Sequence, residues 1–285
     1  MTMNAMMTQN RTILLIVAAA LTLGFFAGCK SEYESLLVSN DVDAKYAAAF
    51  DLYNQKKYSK SAALFESMTV LVDGTEREDT VRYYWGLSNY RDRDYITAET
   101  NFSRFLEKFP QGSFSEDAAF YRLDCLFRST YRYELDQAPT RACIIAINEF
   151  VKEHPGSQYL DACFSMVDDL TERLDRKALE EGKLYYNMEY YKSAHVDFKN
   201  ILKKNSDNVY REEILYYTAL SSYKYAKLSV AAKQRERFLV FVDDYLNFIG
   251  EYPESKFRHE LDGLYRSAQR ALGRGGAVTA EEGKE

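Results

Sequence analysis

The sequence predicts an all-α chain, a superhelical solenoid of about five stacked helix hairpins, on three observations. The first is a recurring phrase that uses three of the four prolines: Phe109-Pro110-Gln111-Gly112-Ser113-Phe114, His154-Pro155-Gly156-Ser157-Gln158-Tyr159 and Tyr252-Pro253-Glu254-Ser255-Lys256-Phe257. Ser206-Asp207-Asn208-Val209-Tyr210 is a copy without the proline. A helix ends before Pro, which cannot continue it, and a Ser or Asp is expected to N-cap the next. The second is apolar spacing by 3 and 4 before each phrase, as in Ala98, Phe102, Phe105, Leu106 and Phe109, or Ala194, Phe198, Ile201 and Leu202. The third is a turn motif in which an aromatic is followed five residues later by Tyr: Tyr53 and Tyr58, Tyr90 and Tyr95, Tyr186 and Tyr191. Ala49, Gly86 and Gly182 lie four residues before the first aromatic, where a small side chain lets two helices approach closely.

The elements follow in chain order. Residues 1–28 read as a signal peptide: Arg11 gives a positive start, and Ile13 to Phe26 an apolar run. That run is too short for a membrane span, which needs roughly 20 residues, but suits a signal core. It ends in Phe26-Ala27-Gly28-Cys29, which resembles a bacterial lipobox with Phe26 where Leu is usual. Cys29 is therefore the candidate lipidation site, its thiol taking a diacylglycerol and the mature amino end a further fatty acid such as palmitate. Residues 29–41 read as an acylated linker. No Asp follows Cys29, since the next residues are Lys30 and Ser31, so the periplasmic face of the outer membrane is the expected address.

Copies of the hairpin pattern centre on 42–74, 76–110 and 176–207, with less regular first helices at 114–155 and 209–253. Residues 42–155 are taken as one set of repeats and 156–272 as a second, closed by a helix from Ser255 to Leu272 that covers the last apolar face. Residues 273–285 are small and charged and are expected to be a disordered tail. The succession of small residue, aromatic, turn Tyr, Ala, Phe and Pro resembles the tetratricopeptide repeat.

Composition narrows the function. The chain has 285 residues, net charge −6 and pI ≈ 5.4, against the basic stripe that nucleic acid demands. Cys125, Cys143 and Cys163 show no zinc or C-x-x-C spacing and read as small buried thiols. His154, His195 and His259 stand apart, and His154 fills the helix-end slot held by Phe109 and Tyr252 elsewhere. The acidic pairs Asp168-Asp169 and Asp243-Asp244 read as solvated helix faces. No catalytic residue, metal site or cofactor is expected, beyond the covalent lipid, and the chain is not read as an enzyme.

What remains is a surface. In stacked hairpins the first helix of each pair lines the concave side. That places Tyr46, Phe50, Tyr53 and Asn54 of the first copy, and Tyr83, Leu87, Tyr90 and Arg91 of the second, in a candidate peptide-binding groove, with Tyr186 and Asn187 further on. Tyrosine gives wide contact area at low entropy cost, which suits an unfolded polypeptide.

The chain also resembles a particular family, the BamD lipoproteins of outer-membrane β-barrel assembly. The resemblance rests on the signal, the repeats and a series of phrases in order. These include Phe109-Pro110-x-Gly112-Ser113-Phe114 and Leu135-Asp136-Gln137-x-x-Thr140 before Ala146-Ile147-x-x-Phe150. They continue with Tyr185-Tyr186-Asn187-Met188, and with Phe248-Ile249-x-Glu251-Tyr252-Pro253-Glu254-Ser255-Lys256, the form typical of Bacteroidota. It implies a membrane-tethered scaffold that binds the POTRA region of BamA through its C-terminal repeats and receives unfolded outer-membrane proteins through its N-terminal ones. Tyr223 and Lys224 are the implied partner interface, with Lys224 where the family often has an Arg; a lysine keeps the charge but not the bidentate fork. Two other readings stay open: a repeat lipoprotein acting as a secretin pilotin or cell-wall coordinator, and a glycan-binding lipoprotein, which the single Trp disfavours.

Overall fold

The computed structural model describes residues 32–281, with side chains from 32 to 273. Cys29 and the expected signal peptide lie outside the described residues. Among those described there are twelve α-helices and no strand. They form two compact units, one ending at Arg128 and one beginning at Ser129.

The first unit holds α1 (Glu32–Val38), α2 (Val42–Asn54), α3 (Tyr58–Met68), α4 (Glu78–Arg91), α5 (Tyr95–Lys108) and α6 (Ser115–Arg128). From α2 onward each helix packs mainly on the next, as expected for a stack of hairpins. The expected linker 29–41 thus contains a packed helix, α1. The second unit holds α7 (Ala138–Glu153), α8 (Leu160–Asn187), α9 (Tyr191–Lys204), α10 (Arg211–Lys227), α11 (Ala231–Glu251) and α12 (Arg258–Glu281). The expected boundary after residue 155 falls inside this unit. Here α7 packs on α8, and α8 also holds the preceding loop. Lys177 Nζ donates to Leu135 O at 3.0 Å, Arg173 donates to Thr130 Oγ1 at 2.8 Å, and the Arg176 guanidinium sits 4.4 Å over the Tyr133 ring. The last helix, α12, runs past Leu272 to Glu281, into the residues read as a tail.

The recurring phrase does its work by a different atom than expected. Phe109, His154 and Tyr252 are C-caps with nearly the same backbone angles, each N–H donating to the carbonyl four residues back. The His154 ring lies 4.7 Å from Phe150, so this histidine is a helix stop. The next helix is capped by the aromatic rather than by the Ser or Asp. The carbonyls of Phe114, Tyr159, Tyr210 and Phe257 accept the first helical hydrogen bond. Ser157, Asn208 and Ser255 instead accept from the N–H two residues on, closing the turn before it. The capping rings also pack: Phe114 stacks on Tyr83 at 4.4 Å and Phe257 on Tyr216 at 4.1 Å.

The three turn motifs close identically. Lys56, Arg93 and Glu189 have φ of 60°, 68° and 61°, and each follows a helix whose last carbonyls accept the turn's N–H groups. Glycine is the residue that adopts this left-handed geometry without strain. Lys56→Gly and Arg93→Gly should therefore each raise stability by about 0.5–1 kcal/mol, seen as a higher midpoint in thermal melts.

Candidate binding surface

The surface is built from the first helices of successive hairpins in the first unit. Tyr53 ends α2, Tyr90 and Arg91 end α4, and Tyr121 and Arg128 come from α6. Ring contacts link them: Tyr53 meets Tyr58 and the added neighbour Tyr84, each at 5.4 Å, and Tyr90 meets Tyr121 at 4.8 Å. Arg91 is exposed, its charge acts on the Tyr53 phenol, and its guanidinium lies 5.8 Å from the Tyr90 ring centre. The Arg128 guanidinium sits 5.2 Å over Tyr95 and 5.9 Å over Tyr90. Guanidiniums over phenol faces gain cation–π attraction of about 0.5–1 kcal/mol each at such exposed sites.

Beneath lies Asp124, 5% exposed, which accepts from Tyr90 Oη at 2.6 Å and Arg128 Nε at 2.5 Å. Burial pushes the Tyr90 phenol well above its ordinary range, and the Asp124 charge pushes it further. Burial also raises Tyr53, against the pull of Arg91. Both phenols therefore stay protonated at neutral pH; the Tyr90 proton is given to Asp124, and the Tyr53 hydroxyl is left to donate. The surface offers apolar rings, one free hydroxyl donor and two cations, a set that fits polypeptide carbonyls, carboxylates and aromatic side chains.

The expected groove residues divide. Tyr53, Tyr90 and Arg91 lie near one another. Asn54 is exposed, and Tyr46 and Phe50 are half-buried and 4.8 Å apart, with Arg77 5.0 Å over Tyr46. Tyr83 and Leu87 do not line a groove: at 4% and 6% exposure they are core. Tyr83 is held there by Phe114 and by Phe105, 6.0 Å away, so Tyr84 takes the place expected for it. In the second unit Tyr186 is half-buried, 5.3 Å from Tyr217, and Asn187 is exposed. Tyr223, expected at an interface, is buried, 5.1 Å from Phe241 with Oη 3.2 Å from Ser267 Oγ; Lys224 beside it is half-buried. Sequence reasoning missed Tyr84, Tyr121, Asp124 and Arg128. The i, i+4 spacing of Asp124 and Arg128 was the available signal.

Outside this surface, His195 Nε2 lies 2.7 Å from Asp244, which Lys199 also reaches at 3.1 Å. Ser222 Oγ donates to Ala219 O at 3.1 Å, within its own helix, so the histidine is not placed to take its proton. Cys125, Cys143 and Cys163 are buried in helices. Burial lifts the Cys125 thiol to about 12 and raises Cys163, which suppresses the reactive thiolate.

Paired helices and proline-marked stops define an all-α repeat fold of the tetratricopeptide type. Residues 39–238 match the family model described as YfiO, outer membrane lipoprotein, and the chain belongs to that family. A curated relative, "Outer membrane protein assembly factor BamD" of Caulobacter vibrioides, is 21% identical over 203 residues, covering 70% of this chain and 67% of the relative. A solved tetratricopeptide repeat protein from Parabacteroides merdae is 14% identical, with a TM-score of 0.32 over 87% of this chain and 79% of that one. Among the described residues, no helix is long and apolar enough to cross a membrane.

Proposed function

We propose that this chain is a non-enzymatic scaffold of outer-membrane β-barrel assembly, acylated at Cys29 and held at the periplasmic face of the outer membrane. In this reading the first unit receives unfolded outer-membrane proteins, and the second docks the POTRA region of BamA with Lys224 at the contact. Membership of an outer membrane lipoprotein family and the assembly role named for the Caulobacter relative support it. The observation that carries it is the joining of Tyr53, Tyr90, Arg91 and Arg128 into one surface from three helices. An extended chain laid across them meets donors for its carbonyls and rings for its aromatics.

Arg91→Glu tests the client surface without touching the core, since Arg91 is exposed. Titrated against a labelled peptide from the last strand of an outer-membrane barrel protein, it should bind about tenfold more weakly, a loss of about 1.4 kcal/mol. Arg91→Lys should recover part of that, and the melting curve should not move. Equal affinity for wild type and Arg91→Glu removes the client surface. Co-purification from membranes with a secretin or a peptidoglycan synthase, in place of BamA, favours the pilotin or cell-wall reading.

A further inference from the structure

The start of the described chain is clamped to the first hairpin. Lys45 is only 2% exposed, and its ammonium donates to Leu37 O and Ser67 Oγ, both at 3.0 Å. Leu37 lies in the last turn of α1, where unsatisfied carbonyls and the helix dipole favour a cation. Leu36, Leu37 and Tyr33 pack against the core around Leu64, Phe65 and Met68. At the other end of α1, Tyr33 Oη donates to Lys60 O at 3.2 Å, and the Lys60 ammonium lies 5.1 Å from the Tyr33 ring centre. The first residue of α1 is therefore fixed beside the turn between α2 and α3.

Only three residue steps separate Glu32 from Cys29, a reach of at most about 11 Å. Had residues 30–41 been a loose linker, their reach would be roughly 40 Å and their mean span about 20 Å. We infer that, given the acylation of Cys29 proposed above, the edge made by α1 and the α2–α3 turn rests on the phospholipid surface, with Lys45 as the positioning residue that sets the distance. Lys56, Lys57 and Lys60 on this edge are exposed, and so are Glu32, Glu34 and Asp51. The signs balance, so the short tether rather than a net field holds the edge at the bilayer, by raising its effective concentration there.

The test uses the full-length acylated protein in phosphatidylethanolamine–phosphatidylglycerol vesicles. A fluorophore is placed at Ser59→Cys, an exposed position in the first turn of α3, while the three native thiols at 125, 143 and 163 are buried. The lipids carry a headgroup nitroxide that quenches only at contact range. Position 59 should be strongly quenched, and raising the salt should not relieve it. Lys45→Met should reduce the quenching severalfold. So should a twelve-residue Gly/Ser insertion after Ser31, which leaves every packed residue in place. Quenching no stronger in the acylated wild type than in the insertion variant overturns the docked edge and leaves the anchor standing. Quenching by Lys45→Met equal to wild type overturns the role of Lys45. Intact-protein mass without acyl chains on Cys29 overturns the anchor and this inference together.

Discussion

Alanine at position 182 is expected to destabilise the protein by about 1–2 kcal/mol, yet to stabilise it once Phe198 has been cut to alanine. Gly182 lies in α8 against the Phe198 ring of α9. A Cβ there would stand 2.4 Å from Cε1, 2.8 Å from Cδ1 and 2.9 Å from Cζ. The ring cannot easily yield: Phe198 is fully buried, stacked on Tyr217 at 5.7 Å, and packed among Leu179, Ala194 and Ile214. Two effects oppose. Replacing a helical Gly by Ala gains about 1 kcal/mol in helix propensity, whereas overpacking a rigid core costs about 1–3 kcal/mol. Three ring atoms inside 3 Å put this site at the upper end, so overpacking wins. Phe198→Ala alone should cost about 3–5 kcal/mol. In that background the added methyl enters the cavity, and only the propensity gain of about 1 kcal/mol remains. Urea titrations of the four proteins measure the cycle, and a Gly182→Ala variant more stable than wild type would refute the close-approach argument. Gly86 meets Phe102 at 2.9 Å, so Gly86→Ala should lie nearer to neutral.

That contact was legible in the sequence, because Ala49, Gly86 and Gly182 hold the same place relative to a following Phe. So were the helix stops, since proline acts within a few residues of itself. Local signals carry such features, and they gave α2 to α5 and the α8–α9 hairpin. What depends on distant partners was not legible. Three consecutive aromatics, Tyr83, Tyr84 and Trp85, leave the buried face of α4 undetermined, and it is Phe114, far along the chain, that draws Tyr83 inward. Tyr223 was misplaced for the same reason, drawn in by Phe241 and Ser267. Lysine is rarely buried, so Lys45 gave no hint that residues 32–38 form a packed helix. The division at Arg128 depends on α8 side chains that reach loop carbonyls more than forty residues earlier. Of the candidate surface, the residues beside a turn motif were found. Asp124, whose importance lies in being buried beneath Tyr90, read as one more helix charge.

Asp244→Ala should cost about 3 kcal/mol and remove part of the protein's sensitivity to acid. The pair Asp243-Asp244 reads as a solvated face, but only Asp243 is exposed; Asp244, on α11, is 6% exposed. Its carboxylate bridges to α9 through His195 at 2.7 Å and Lys199 at 3.1 Å. Removing one member of a buried charge pair usually costs about 3–5 kcal/mol, because the other is left buried and unmatched. Here the lower end applies. Lys199 is 57% exposed and can return to water. Lys199→Ala should accordingly cost under about 1 kcal/mol. The sign with pH follows from the same contacts. Burial alone would raise the Asp244 carboxyl, but the His195 bond and charge, Ser222 and Lys199 outweigh it and hold it below its ordinary value. A carboxyl lowered in the folded state binds its proton more readily when unfolded, so its contribution is complete above the unfolded value near about 4. It is lost as pH falls from there through the lower folded value. Urea midpoints at pH 7 and pH 3 should therefore separate wild type from Asp244→Ala more widely at the first than at the second. A gap that stays constant between the two would mean that Asp244 holds α9 to α11 by shape alone, with its charge making no difference.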